Sequence, residues 1–221
     1  MNEKFFDLKK EKQDRMINAA LKIFAYAGYE HASTDDIVRE ARVSKGLLFH
    51  YFISKLGLYT FLYDYTTKYE QLELSTNIGK DETDYFALRS RILHAQASCM
   101  RSYPYLPLFI DRADREENEE ASRAVGSQVI AHAEQMRTIY DRADLSRFKE
   151  DVDVGMVGKM LSGAFRGILT DVLRLEENIP ETYEEVCGGY LTMMKKLCYR
   201  EEGDIAEQPA TDTDTMKEGE E

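Results

Sequence analysis

Apolar positions along this chain recur almost throughout at the spacing of a helix rather than a strand. Met16, Ile17, Ala20, Leu21 and Phe24 share one face of a helix read over about residues 6–27, and Gly28 follows where a left-handed C-terminal cap favours glycine. A short helix comes next. Ser33 or Thr34 supplies its N-cap, Asp35 and Asp36 suit its positive start, and Ile37, Val38 and Ala41 point inward. Arg42-Val43 is a tight connection, and Ser44 caps a third helix over 45–52. Ser54 opens a fourth, from Lys55 toward Ser75. Helical periodicity then covers about 81–102, 118–140, 152–175 and 181–199. Pro104 and Pro107 interrupt it because proline cannot continue a helix ladder, whereas Pro180 stands at a helix start, where it is tolerated. No alternating pattern of useful length argues for a strand. The predicted fold is all-α: a three-helix helix-turn-helix head over 1–54, a helical body over 55–200, and an acidic, aromatic-poor tail over 201–221 whose composition predicts disorder.

Charge changes the picture once it is divided by region. The net charge of −12 looks hostile to nucleic acid, but nine acidic residues against Lys217 alone lie in 201–221, while residues 1–60 hold ten Lys/Arg and eight Asp/Glu. Repulsion between exposed charges fades over a Debye length of roughly 8 Å at physiological salt, so a locally basic head can meet DNA while the tail stays away. No apolar run approaches the roughly 18 residues of a membrane span, and the first apolar stretch is too short for a secretory signal. Cys99, Cys187 and Cys198 are few, odd in number and widely spaced, which predicts a reducing cytoplasm and no disulfide framework.

Residues 33–55 carry the candidate chemistry. Two helices of about eight residues joined by a sharp corner are helix-turn-helix geometry. Ile37, Ala41, Val43, Leu48 and Phe52 can pack on Leu21 and Phe24, which leaves Lys45, Gly46, Leu47, Phe49, His50 and Tyr51 on the remaining surface. A solvated face rarely spends aromatic residues so freely beside a cation, and the major groove accepts one helix whose N-terminal residues reach base edges. Ser44 and Lys45 begin that helix. Lys45 could donate to guanine or phosphate, Leu47 or Phe49 could meet a thymine methyl, and Tyr51 could bond a phosphate. The helix starts at Thr34 and Lys55 present backbone N–H groups that favour phosphates.

This run resembles the TetR family of bacterial repressors. The match lies at Thr34, Ile37, Ala41, Val43, Ser44, Gly46, Leu48, Tyr51, Phe52 and Lys55, with Phe49 exchanging one aromatic for another; Ala19-Ala20-Leu21, Phe24 and Gly28-Tyr29 resemble the family's first helix. The resemblance covers about the first 60 residues. Val38 stands for the usual Ala, Arg42 for a common Gly, which implies strain or a different φ in the turn, and Leu56-Gly57 for an acidic pair. The resemblance implies a homodimer on a palindromic double-stranded operator, an all-helical body and a small-molecule effector held by the middle helices, with repression the commoner mode.

In the body, glycines inside the helix over 152–175 call for a reason, and close helix approach is one. Gly163 and Gly167, with Val186, Tyr190 and Met194 of the last helix, are candidate dimer-interface residues. Met100, Tyr103, Tyr105, Phe109, His132, Met136 and Phe165 are candidate pocket walls, although ordinary core is an equally natural place for such residues. No catalytic or metal-binding signature appears: the histidines at 31, 50, 94 and 132 are scattered, and neither a P-loop nor a nucleophile elbow is present. No cofactor or enzyme activity is expected. The alternative is a helical adaptor whose aromatic face binds a protein, without the salt-steep DNA affinity that a regulator requires.

Overall fold

The computed structural model describes residues 3–175 and 177–201, so the tail, apart from Glu201, lies outside the described residues. After a 3₁₀ turn at Glu3–Asp7, the helices run α1 Lys10–His31, α2 Thr34–Ala41, α3 Lys45–Phe52, α4 Lys55–Asn77, α5 Tyr85–Ser102, α6 Leu106–Ala113, α7 Glu119–Tyr140, α8 Val154–Val172 and α9 Ile179–Cys198. Among the described residues the only β pairings are isolated bridges, Asp84 with Asp144 and Phe148 with Tyr199.

Local chemistry fixes most helix starts. Ser33 accepts from the amides of Asp35 and Asp36, Ser44 from Leu47, Ser54 from Gly57, Asp84 from Ala87, Asn118 from Ala121 and Asp153 from Met156. Each bond satisfies an amide that the first turn would otherwise leave unpaired. The head closes over Met16, Ile17, Leu21, Phe24, Ile37, Leu48 and Phe52, all fully buried.

Three features depart from the sequence reading. Gly28 does not end α1; it takes φ 68° within the helix, which kinks and continues to His31. A helix, α6, occupies the stretch read as a proline-broken interruption, since Pro107 sits in its first turn, where a missing N–H costs little. The fifth helix begins at Tyr85 rather than near 81, capped by Asp84, whose carboxylate also binds Arg147 and Lys195. The different φ expected at Arg42 is present: it is left-handed, at φ 55° and ψ 48°.

The α3–α4 corner is tighter than the α2–α3 corner. Ile53 takes φ 66° and ψ −48°, and the Ser54 amide donates to the Phe52 carbonyl at 2.7 Å, closing a three-residue γ-turn. The same carbonyl explains Gly57, since a Cβ there would lie 2.2 Å from the Phe52 oxygen.

Candidate nucleic-acid interface and effector cavity

On α3, Ser44, Lys45, Gly46 and His50 are exposed, and Leu47 and Phe49 are half-buried. Tyr51 is buried, contrary to its expected place on the outer surface. Its ring stands edge-on to Phe5, with centroids 5.6 Å apart, because the N-terminal 3₁₀ turn folds over this end of α3. Phe5 also packs on Phe52 and Phe61, so one residue from outside the motif covers its C-terminal end.

The Lys55 side chain is engaged within the head. Its ammonium donates to the carbonyls of Tyr29 at 2.8 Å, Glu30 at 3.2 Å and Ala32 at 3.3 Å, and it lies 4.5 Å from the Tyr29 ring centroid. All three donors are thus engaged at the end of α1, where a cation also meets the negative end of the helix dipole. At the α2 start, Thr34 is half-buried and Asp35 is exposed. Lys45 pairs with Asp35 at 2.9 Å and Arg39 pairs with Asp36, so an anion approaching this start meets balanced rather than bare carboxylates.

In the body, a cavity of about 280 Å³ opens between α5, α7, α8 and α9, with Pro107 and Asp111 of α6 on its wall. Of the candidate pocket residues, Met136 and Phe165 line it. Met100, Tyr103 and Phe109 are fully buried core instead, and half-buried Tyr105 packs against Tyr26. Half-buried His132 bridges buried Glu70 and exposed Asp114: its Nε2 is 2.9 Å from Glu70 and its Nδ1 3.6 Å from Asp114. Burial disfavours the charged ring, yet hydrogen bonds and charge from Asp114 and Glu70 outweigh it and push His132 up to about 10. Sequence reasoning missed Arg89, Asp111 and Arg166 on the cavity wall. The available signal was Arg89 standing three and four positions before Ile92 and Leu93, a cation on an apolar helix face.

A polar seam joins the two regions. The Tyr29 amide and the Tyr59 hydroxyl both donate to Glu116, at 3.0 and 3.3 Å. Tyr63 donates to Asp114, which faces His132; Glu70, on the other side of His132, accepts from Gln96 of the cavity wall at 3.2 Å. Gly28 lets α6 approach, for a Cβ there would stand 3.0 Å from the Arg112 guanidinium.

The candidate dimer residues lie on the outer faces of α8 and α9. Gly163, Gly167, Val186 and Tyr190 are exposed beside Met156, Met160, Met193 and Leu197, and a Cβ at either glycine would meet nothing within 4 Å. Met194 is turned partly into the core, and Met193 takes the outward position instead. Among the described residues no helix is long and apolar enough to cross a membrane.

Comparison with known proteins agrees with the geometry of the head. Residues 16–60 match the family model for bacterial regulatory proteins of the tetR family. An uncharacterized HTH-type transcriptional regulator of Bacillus subtilis (strain 168), YuxN, is 41% identical over 61 residues; the match spans 26% of this chain and 21% of that relative. Across the fold, a ketosteroid transcriptional regulator of Mycobacterium tuberculosis, KstR2, superposes with a TM-score of 0.64 at 16% identity, covering 88% of this chain and 97% of its own. A TetR family regulator from Chloroflexus aurantiacus J-10-FL gives 0.58 at 20% identity, covering 90% and 99%. Residues 16–60 thus match the DNA-binding model of the tetR family, and the chain as a whole shares the fold of TetR family regulators.

Proposed function

We propose that this protein is a ligand-responsive transcriptional repressor that acts in the cytoplasm. In this reading it binds a palindromic operator as a homodimer and is released by a small molecule. The observation that carries the proposal is the α3 start, where Ser44, Lys45, Gly46 and His50 stand exposed on a head otherwise locked by a dense apolar core. A recognition helix offers its N-terminal residues to base edges in this way. Lys45, Leu47, Phe49 and His50 are the side chains assigned to bases or phosphates, with the amides at Ser44 and Gly46 and at the Thr34 start approaching the backbone. Tyr51 and Lys55 shape the helix that reads, from inside the head.

The apolar outer stripe of α8 and α9 supports pairing around a twofold axis, which would present two heads to half-sites roughly 34–36 Å apart. The cavity supports the effector. Because α6 lines it and also packs on α1, a ligand that shifts α6 would change the angle of the head through Gly28 and the Glu116 contacts. Release then follows from the ligand's greater affinity for the form with the wrong head spacing.

The test is fluorescence anisotropy of the full chain on DNA from upstream of its own gene, across a salt series, followed by selection from a random duplex library. Preferred binding to one palindromic sequence is expected, with a steep loss of affinity as salt rises. Lys45→Ala should weaken it and reduce the salt slope by about one. A folded dimer that selects no sequence from the library would overturn the reading and turn attention to a protein partner for the Phe49 face.

A further inference from the structure

The cavity wall is unusual in its charges. Arg166 and Arg115 both pair with Asp111, so that carboxylate is more than balanced. Arg89 has no acidic partner within 4.0 Å among the described residues. Its Nη2 reaches only the Gly158 carbonyl, at 3.4 Å, and its Nε is buried without an acceptor. Two rings hold it in place, Tyr85 and Tyr140, each centroid 5.0 Å from the guanidinium carbon. Gly158 makes room for the arrangement, since a Cβ there would lie 3.0 Å from Nη2 and 3.1 Å from the Tyr85 hydroxyl. Leaving the Nε of this half-buried guanidinium without an acceptor is costly, and an oxyanion with two oxygens is the group that fits its planar fork.

The rest of the wall is apolar where it matters for an extended body: Ile92, Leu93, Phe165 and Leu169. Its ionisable lining of Arg89, Arg166 and Asp111 carries one net positive charge, in a chain whose total is −12. One surplus charge suits a monoanion better than a phosphate dianion. At about 280 Å³ the space is near the small end of ligand pockets.

We propose that this cavity takes an amphiphilic monocarboxylate, its carboxylate on Arg89 and its medium-length apolar body along Ile92, Leu93, Phe165 and Leu169. The proposal rests on the ligand-responsive reading above and specifies the ligand class. It makes Arg89 the specificity-determining residue of the site.

The test uses isothermal titration of the full chain with decanoate, 1-decanol and decyltrimethylammonium, each below its aggregation limit. Decanoate should bind most tightly and the ammonium least. Arg89→Met should weaken decanoate by at least about tenfold while leaving decanol unchanged, and Arg89→Lys, which keeps the charge but loses the fork, should fall between. Should Arg89→Met fail to fold, the lysine variant and the wild-type ranking carry the test without it. Decanol binding as tightly as decanoate, tighter binding of the ammonium, or binding indifferent to Arg89 would overturn the carboxylate assignment. Binding of none of the three would overturn it as well. Operator affinity of the unliganded protein is measured separately and is untouched by any of these outcomes, so failure here and failure of the repressor reading are distinguishable.

Discussion

The head and the body bury different things. Inside the head the buried side chains are aliphatic and aromatic apart from Gln13, which donates to the carbonyls of Phe6 and Leu8, and other polar groups stand at helix ends where a neighbour three residues away or a carbonyl absorbs them. Inside the body, buried Glu70 meets half-buried His132 and Gln96, exposed Asp114 pairs with His132, and a cavity opens beside them. An apolar interior has one good packing and resists deformation, whereas a buried polar network with adjacent space has alternatives. The difference teaches where change in this molecule belongs: the head is rigid, and the body carries the groups able to respond.

The sharpest way to break that contrast is at the body's cluster. His132→Ala removes the cation that faces Glu70 and should cost about 3–5 kcal/mol, read as a lower urea midpoint. A loss under about 1 kcal/mol would mean that Glu70 is satisfied without the ring. The pH dependence follows from the same site. His132 is raised from 6.5 to about 10, so its contribution is fully present below pH 6.5 and is lost as pH rises toward 10. The stability gap between the wild type and His132→Gln should narrow across that window, and a gap constant from pH 6 to 10 would deny the charged pair.

In the head, Gly57→Ala forces a Cβ to 2.2 Å from a backbone oxygen and should cost about 3 kcal/mol, with loss of operator binding. Smaller effects follow at the corners. Ile53→Gly relieves a positive φ on an exposed β-branched residue and should stabilise by about 1 kcal/mol. Ser44→Ala should destabilise by about 1 kcal/mol through the lost cap of α3. A destabilised Ile53→Gly would show that the isoleucine side chain matters more than its backbone.

The head's helices were readable in the sequence because their signals are local. Ser33, Ser44 and Ser54 each cap amides two or three residues on, and Lys45–Phe52 begins and ends where the caps and spacing place it. What escaped was set at a distance. Tyr51 is covered by Phe5, and Lys55 is spent on carbonyls more than twenty residues upstream. Helix α6 was hidden by Pro104 and Pro107, although Leu106, Phe109, Ile110 and Ala113 recur there at helical spacing. In the body, methionines and aromatics at that spacing look alike whether they fill the core, as Met100 and Phe109 do, or line space, as Met136 and Phe165 do. Only packing between helices separates the two.

Lys55 has a consequence for how the head opens. By binding Tyr29, Glu30 and Ala32 it ties the first residue of α4 to the end of α1, and the chain between, which holds both α2 and α3, becomes a closed ring. An eight-residue helix such as α3 cannot persist alone in water. Opening of α3 is thereby coupled to release of the tie at Lys55, and its slowest amide protons are expected to exchange together with those of α2, which hydrogen exchange would read.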